Sequence, residues 1–529
     1  SRAALLYLAF FFTFLLSIIF IGVWFVAGDR FGAILLRLSP VVLFMASASA
    51  LGLIALSVYF PDFINLLRES PSLIRRYRLS WILVLVAFYL IGSTYYQLAT
   101  KHAAEINQQL QFSDQKSYLV IAEKAYETDF RYMGDRNRTP LYSYLLTMIY
   151  QPDMDREIFF ERSKQFSIYL SLAMLIILFL ISLKFLPALQ SAVLTAIAGT
   201  SLYVYKAGYV QPELMYYTLS FASFVLMIWM LRRPTIWLGI LTGAAAALAF
   251  YTKASMLPGL VLFVVVYLVQ AALDSYRATR AGVPAGSVGT FLRLKILPLM
   301  AVLVIFFGLL SPYLLDNKRI FGRYFYTVNS TFYLWYDSWD EVEAGTNAFG
   351  DEVGWPDIPA DQLPSPGQYL KEHTSQQIIS RFMRGIGSQW ENIANPYSRY
   401  SFPIIYSIVL LVFGLFNPRA SLRLVVDYRY ILLFCFGYFL GYLVLYAWFS
   451  PVANFADERF TYSLYIPYLF SIFVALRLIT QRVKRLHVGG LSVKTSYLLW
   501  AVHLAALYLS MLNFFEVAPK RLSKRWYGK

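Results

Sequence analysis

Long apolar runs separated by hydrophilic connections recur along the whole chain. They fall near residues 3–27, 34–58, 81–99, 165–185, 188–205, 213–231, 235–250, 255–273, 291–314, 401–416, 428–449, 460–479 and 495–515. Most are long enough for a helix to cross a hydrocarbon core of roughly 30 Å. The pattern predicts an all-α polytopic membrane protein, a bundle of about 13 transmembrane helices. The first run carries no small-residue cleavage site and is followed at once by a second, so it reads as an anchor rather than a signal peptide.

The connections alternate in charge. Those around Arg68, Arg75, Arg76 and Arg78, at Arg232-Arg233, from Arg277 to Lys295, from Arg419 to Arg429 and from Arg477 to Lys494 are rich in Lys and Arg. The positive-inside rule assigns them to the cytoplasm. The opposite face then receives two long segments, 100–164 and 315–400, and short ones near 206–213, 251–254 and 450–459. Four regions follow: an N-terminal hairpin and basic loop over 1–80, a transmembrane core over 81–314, the extracytoplasmic loop 315–400, and the helices and basic tail of 401–529. An odd number of crossings leaves Lys520, Arg521, Lys524 and Arg525 outside; either that tail meets lipid or the count is off by one helix.

Composition agrees with this topology. The 529 residues are 58% hydrophobic and only 14% charged, about half the charged fraction of a soluble chain. The 46 basic residues exceed the 30 acidic ones, a net charge of +16. That excess sits mostly in short connections, so it reflects topology rather than nucleic-acid binding. A single cysteine, Cys435, excludes an intramolecular disulfide. The four histidines are scattered without ligand spacing, and no metal site is expected from them.

Candidate chemistry concentrates in the segments assigned outside. Asp114 opens a short amphipathic helix whose apolar face includes Tyr118, Ile121, Ala122 and Ala125; as a bland alternative, Ser113 or Asp114 caps that helix. Arg136 and Arg138 precede Pro140 and an apolar helix, an arrangement suited to an anion or simply to two solvated arginines. Lys206, Gln211-Pro212-Glu213, Tyr251-Thr252-Lys253 and Asp457-Glu458-Arg459 border helix ends. Capping and snorkelling explain each singly, but together they place acids and bases at one membrane level. The loop 315–400 carries Trp335, Asp337, Trp339, Trp355 and Trp390, which suit either a cap over a sugar-bearing acceptor or anchorage at the membrane interface. Asp153-Met154-Asp155 has the form of a nucleotide-sugar metal motif but lacks the α/β domain that motif needs, and no nucleotide-binding fingerprint is present.

In this order these residues resemble the membrane-embedded glycosyltransferases of the GT-C superfamily, above all the aminoarabinose and protein O-mannosyl transferase branch. The likeness covers roughly 81–479 and rests on Asp114, Tyr118 and Ala122, then Arg138-Thr139-Pro140-Leu141-Tyr142. Gln211-Pro212-Glu213-Leu214, Thr252-Lys253-Ala254-Ser255 and Glu458-Arg459-Phe460 follow. Gln115 stands where the family often has a second acid, and the two helices before residue 80 are additional to the usual core.

The resemblance implies a GT-C-like bundle with its site on the extracytoplasmic face of a cell membrane. There a sugar passes with inversion from a polyprenyl-phosphate donor to an acceptor hydroxyl of a lipid, glycan or protein. It implies Asp114 as base and Glu213 as a second, orienting carboxylate. Arg138, Lys206, Lys253 and Arg459 become the donor-phosphate ligands; with the reading of loop 315–400 as a cap, Tyr118, Trp335, Asp337 and Trp339 are the expected acceptor contacts. No cofactor is required by this chemistry, and a divalent metal is left open. Two rivals use the same membrane: an O-antigen ligase or polymerase, which would lean on Arg and His in one large loop, and a lipid-linked glycan flippase or other transporter. The latter predicts inverted hydropathy repeats and charges near helix midpoints, whereas the charges here lie at helix ends.

Overall fold

The computed structural model describes residues 89, 91–111, 114–280, 292–349, 359, 361–394, 401–452, 459–488, 491–512, 514–515 and 518. Among them, seven helices are long and apolar enough to cross a membrane: Arg156–Leu183, Glu213–Arg232, Ala254–Arg277, Leu294–Phe321, Arg429–Phe449, Phe460–Arg482 and Thr495–Leu512. The expected crossings 3–27 and 34–58 lie outside the described residues, as do the basic tail and part of 81–99. Three other expected crossings take different forms. The run 188–205 is a helix over Ala188–Ala198 that widens into a π turn at Gly199–Tyr203. The run 235–250 is a 17-residue helix, Ile236–Thr252. The run 401–416 is the 16-residue helix Ser401–Phe416, and beyond it the chain turns by 110° at Asn417 into Pro418–Asp427, because Pro418 starts a new helix rather than continuing the old one.

The chain divides into two compact units. One comprises Ser1–Ser113, Asp153–Val210 and Leu507–Lys529; the other comprises Asp114–Pro152 and Gln211–Ala506. In the first, Asp155 caps the Arg156–Leu183 helix by accepting the N–H of Glu157 at 2.7 Å, which gives the Asp-x-Asp tripeptide a structural role. Lys164 on that helix is fully buried. Its ammonium donates to the carbonyls of Ala103 (2.8 Å), in the last turn of the 91–105 helix, and of Asn107 (3.0 Å), just beyond it.

In the second unit, the Ile236–Thr252 and Leu297–Phe321 helices pack with their backbones close together. A Cβ on Gly239 or Gly243 would strike the carbonyls of Pro298 or Val302, so glycine is what permits the approach. Thr235 caps the first of these helices by accepting the N–H of Leu238 at 3.2 Å. At its other end Lys253 is extended (φ −161°, ψ 125°), which breaks the helix before the short turn Ala254–Met256. One departure from the helical pattern is a two-stranded antiparallel hairpin, Arg485–Val488 with Leu491–Lys494, ahead of the Thr495–Leu512 helix.

Candidate functional site: two charged clusters in the second unit

The first cluster is built on the loop that follows the Gln115–Glu127 helix. Asp129 and Phe130 leave that helix with left-handed backbones (φ 48° and 61°). Gly134 then turns at φ 108° so tightly that a Cβ would collide with the carbonyl of Arg138. The turn is closed by Asp135, whose Oδ1 accepts the N–H groups of Asn137 (2.8 Å) and Arg138 (2.6 Å). The other oxygen of Asp135 accepts from Nη1 of Arg138 at 2.8 Å, while Nη2 of Arg138 donates to Oδ1 of Asp114 at 2.7 Å. Arg138 is thus shared by two carboxylates, lies over the ring of Tyr118 at 5.8 Å, and keeps a buried Nε without a hydrogen-bond partner.

Asp114 stands at the N-terminus of its helix but its side chain makes no capping hydrogen bond. The carboxylate is 40% exposed and engages Arg138 instead. The loop is fastened at its far side, where Val328 donates to the carbonyl of Arg136 (2.9 Å) and Asn329 to the side-chain oxygen of Asn137 (2.6 Å).

Glu213 reaches the same region from another element. It opens the Glu213–Arg232 helix after Pro212 and its side chain is only 5% exposed. One oxygen lies 3.9 Å from the ammonium of Lys253, too long for a hydrogen bond, and the other is buried with no partner. Lys253, on the break described above, lies over the ring of Phe460 at 5.1 Å.

Tyr118 ties the two halves together. Burial raises its phenol well above the ordinary value, and the negative charges of Glu213, Asp114 and Asp135 raise it further against the opposing charge of Arg138. Burial works against the charged form of Arg138, but Asp135 and Asp114 outweigh it and its proton is held more firmly than usual. Tyr118 therefore stays a neutral donor and Arg138 a permanent cation.

The second cluster centres on Asp337. Its Oδ1 accepts from the hydroxyl of Tyr369 (2.8 Å) and from Nη1 of Arg381 (2.9 Å), and its Oδ2 faces Nε2 of His373 at 2.8 Å. Burial alone would raise the Asp337 carboxyl; the hydrogen bonds from Tyr369 and His373 and the charge of Arg381 reverse this and bring it below the usual range. Arg381 is buried, with its other nitrogens donating to the carbonyls of Leu334 (3.1 Å) and Trp448 (3.2 and 3.3 Å) and its plane over the Trp448 ring at 4.4 Å. A cavity of about 560 Å³ opens beside it, lined by Trp335, Tyr336, Asp337, Glu341, Tyr369 and His373 among others.

The residues singled out in the sequence are therefore distributed unevenly. Asp114, Tyr118, Arg138, Glu213 and Lys253 form the first cluster, while Trp335 and Asp337 line the cavity of the second. Trp339 does not line that cavity; it is 41% exposed and packs edge-on against Tyr333 at 5.8 Å. Lys206 belongs to the first unit, where it is buried over the ring of Tyr209 at 5.6 Å. Arg459 begins the Arg459–Arg482 helix, and its side chain, like Trp355, Asp457 and Glu458, lies outside the described residues.

The residues that sequence reasoning missed are Asp135, Tyr369, His373 and Arg381. Tyr369 and His373 are four residues apart, a helical spacing that stacks their rings at 3.9 Å and was available as a signal. Among the described residues, no three His, Cys, Asp or Glu side chains are grouped as metal ligands would be. Comparison with protein-family models, with curated proteins and with solved structures finds no match to this chain.

Proposed function

We propose that the chain is a membrane glycosyltransferase that moves a sugar from a polyprenyl-phosphate donor to an acceptor hydroxyl, with inversion, on the extracytoplasmic face. The observation that carries this reading is the buried Glu213 carboxylate, with one unpartnered oxygen and an ammonium 3.9 Å from the other, and an arginine held between two acids, both acting on the buried Tyr118. Leaving a buried carboxylate oxygen unpaired costs free energy. Such groups persist where a ligand completes them.

In this reading the donor phosphate approaches Arg138 and Lys253 and replaces Asp114 on Nη2. The exchange conserves charge at the arginine and releases Asp114 as a base. The acceptor O–H loses its proton to Asp114 while its oxygen attacks the anomeric carbon. The bond from that carbon to the phosphate oxygen breaks, and its electron pair leaves with the lipid phosphate. Arg138 and Lys253 meet the charge that develops there. Glu213 accepts a hydroxyl of donor or acceptor through its unpartnered oxygen, and Tyr118 donates within the same space. Trp335 and the Asp337 cavity offer a ring face and carboxylates to a sugar-bearing acceptor.

The test is binding of a polyprenyl phosphate to the purified protein in lipid nanodiscs, followed by transfer from a polyprenyl-phosphate sugar. Saturable binding that weakens in Arg138→Ala supports the proposal. Binding without transfer would point to the lipid-linked glycan flippase, which holds the same phosphate, and no binding by the unaltered protein would overturn the transferase reading.

A further inference from the structure

The Ser375–Ala394 helix has a surface that neither cluster uses. It packs through Arg381, Gly385, Ser388 and Gln389, and Gly385 fits so closely that a Cβ would meet the carbonyl of Ala447. At about 100° per residue, Ile379, Met383, Ile386 and Trp390 fall on one stripe away from that contact, 62%, 58%, 40% and 67% exposed. Gln376, Ser380, Arg384, Gly387 and Glu391 form the adjoining strip, all exposed and none of them apolar and large. This is a helix with one apolar and one polar flank, docked along a third face.

What it docks on decides the occupant of the apolar flank. Gly385 and Arg381 touch Ala447 and Trp448, the last turn of Arg429–Phe449, one of the helices fit to cross a membrane. That helix bares Phe436, Leu440 and Val444 along its length, 66%, 47% and 41% exposed. Packed helices lie about 8–10 Å apart axis to axis, so a helix seated on the end of a span lies at the boundary of headgroups and acyl chains. Ala447 falls on the same face of that span as Phe436, Leu440 and Val444, so the docked helix sits over the bare side, and Trp390 and Trp448 are of the ring type that settles at that depth.

We propose that Ser375–Ala394 is an interfacial helix whose Ile379, Met383, Ile386 and Trp390 flank is immersed in lipid. Arg381, reaching from the same helix to Asp337, then fixes the cavity at the membrane surface. The inference is independent of the transferase reading, because it concerns lipid contact and needs no turnover.

It is tested with the full chain in nanodiscs of phosphatidylcholine and phosphatidylglycerol, in a Cys435→Ala background. Nitroxide labels are placed through Ile379→Cys, Met383→Cys, Ile386→Cys and Trp390→Cys, and through Gln376→Cys, Ser380→Cys, Arg384→Cys and Glu391→Cys. The first four should collide readily with oxygen and poorly with a water-soluble nickel chelate, and the second four should show the reverse. Equal access of nickel to both sets overturns the proposal. So does dipolar broadening among the first four that disappears on dilution with unlabelled protein, since a second copy would then cover the stripe. If the cysteine variants misfold, quenching by brominated lipids decides: Trp390→Phe must remove part of the quenchable fluorescence, and an unchanged quenchable share overturns the assignment.

Discussion

Arg138 holds Asp114 and Asp135 on the two arms of one guanidinium, a task that needs a planar fork. Arg138→Lys keeps the charge but addresses one acid at a time, so turnover should fall moderately, and Arg138→Ala should abolish most of it. Asp114→Asn should lower turnover by about 10²-fold or more with little change in thermal stability, since the side chain caps nothing and an amide oxygen can still accept from Arg138. Glu213→Gln separates function from folding more sharply. It removes a buried charge that has one unpartnered oxygen, so the melting temperature should hold or rise while turnover drops by about 10²-fold. A lowered melting temperature with normal turnover would make Glu213 a structural partner of Lys253. Asp337 supplies the pH dependence. Its folded carboxyl lies below the usual range, so its contribution to stability is complete above the unfolded value of about 3.9 and is lost as pH falls through the lower folded value. The stability gap between the unaltered protein and Asp337→Asn should therefore narrow below about pH 4, measured by thermal unfolding. Arg381→Ala should cost about 2–4 kcal/mol, a buried-pair figure reduced because Asp337 is 35% exposed.

Elements differ in how plainly the sequence announces them. Arg156–Leu183 and Arg429–Phe449 are read directly, because a lipid-crossing helix needs only length and apolarity. The 110° turn at Asn417 was signalled by Pro418, but the helix beyond it carries Arg419 and Arg423 and read as a basic connection. The hairpin Arg485–Val488 with Leu491–Lys494 was hidden by its charges, which read as a basic connection. Charged residues at the ends of apolar runs exposed Glu213 and Lys253, whereas Arg381 lay in a segment whose pattern looks like any amphipathic surface helix. Asp135 was masked by its neighbour: an acid three residues before an arginine is common, and only the left-handed Gly134 shows that the pair is clamped. Gly134→Ala is the corresponding prediction. A side chain at φ 108°, facing the Arg138 carbonyl, should cost more than about 1–2 kcal/mol and weaken polyprenyl-phosphate binding by misaligning Arg138.

At the scale of the molecule, the two units interleave along the chain, the first recurring at 153–210 and after 507. Boundaries placed at 80, 314 and 400 follow hydropathy, which records what meets lipid and not which distant helices pack together. The charge pattern does make a whole-chain prediction. A reporter fused after Arg233 should read as cytoplasmic and one fused near Asp337 as external. The opposite pair of readings would invert the proposed topology and put both clusters on the cytoplasmic face.

The close pairing of Ile236–Thr252 with Leu297–Phe321 has a mechanical consequence. Two helices whose backbones meet at Gly239 and Gly243 resist bending and sliding, because carbonyls fill the only room for movement. Lys253 is the first residue past the end of that stiff beam, with its ammonium against Phe460. A lysine on a slack loop would add the wandering of its own backbone to the freedom of its four side-chain bonds, whereas here the backbone is held and Phe460 and Glu213 border the ammonium. Mounted on a beam, the same charge varies less in position, so an anion bound as proposed would meet a steadier field.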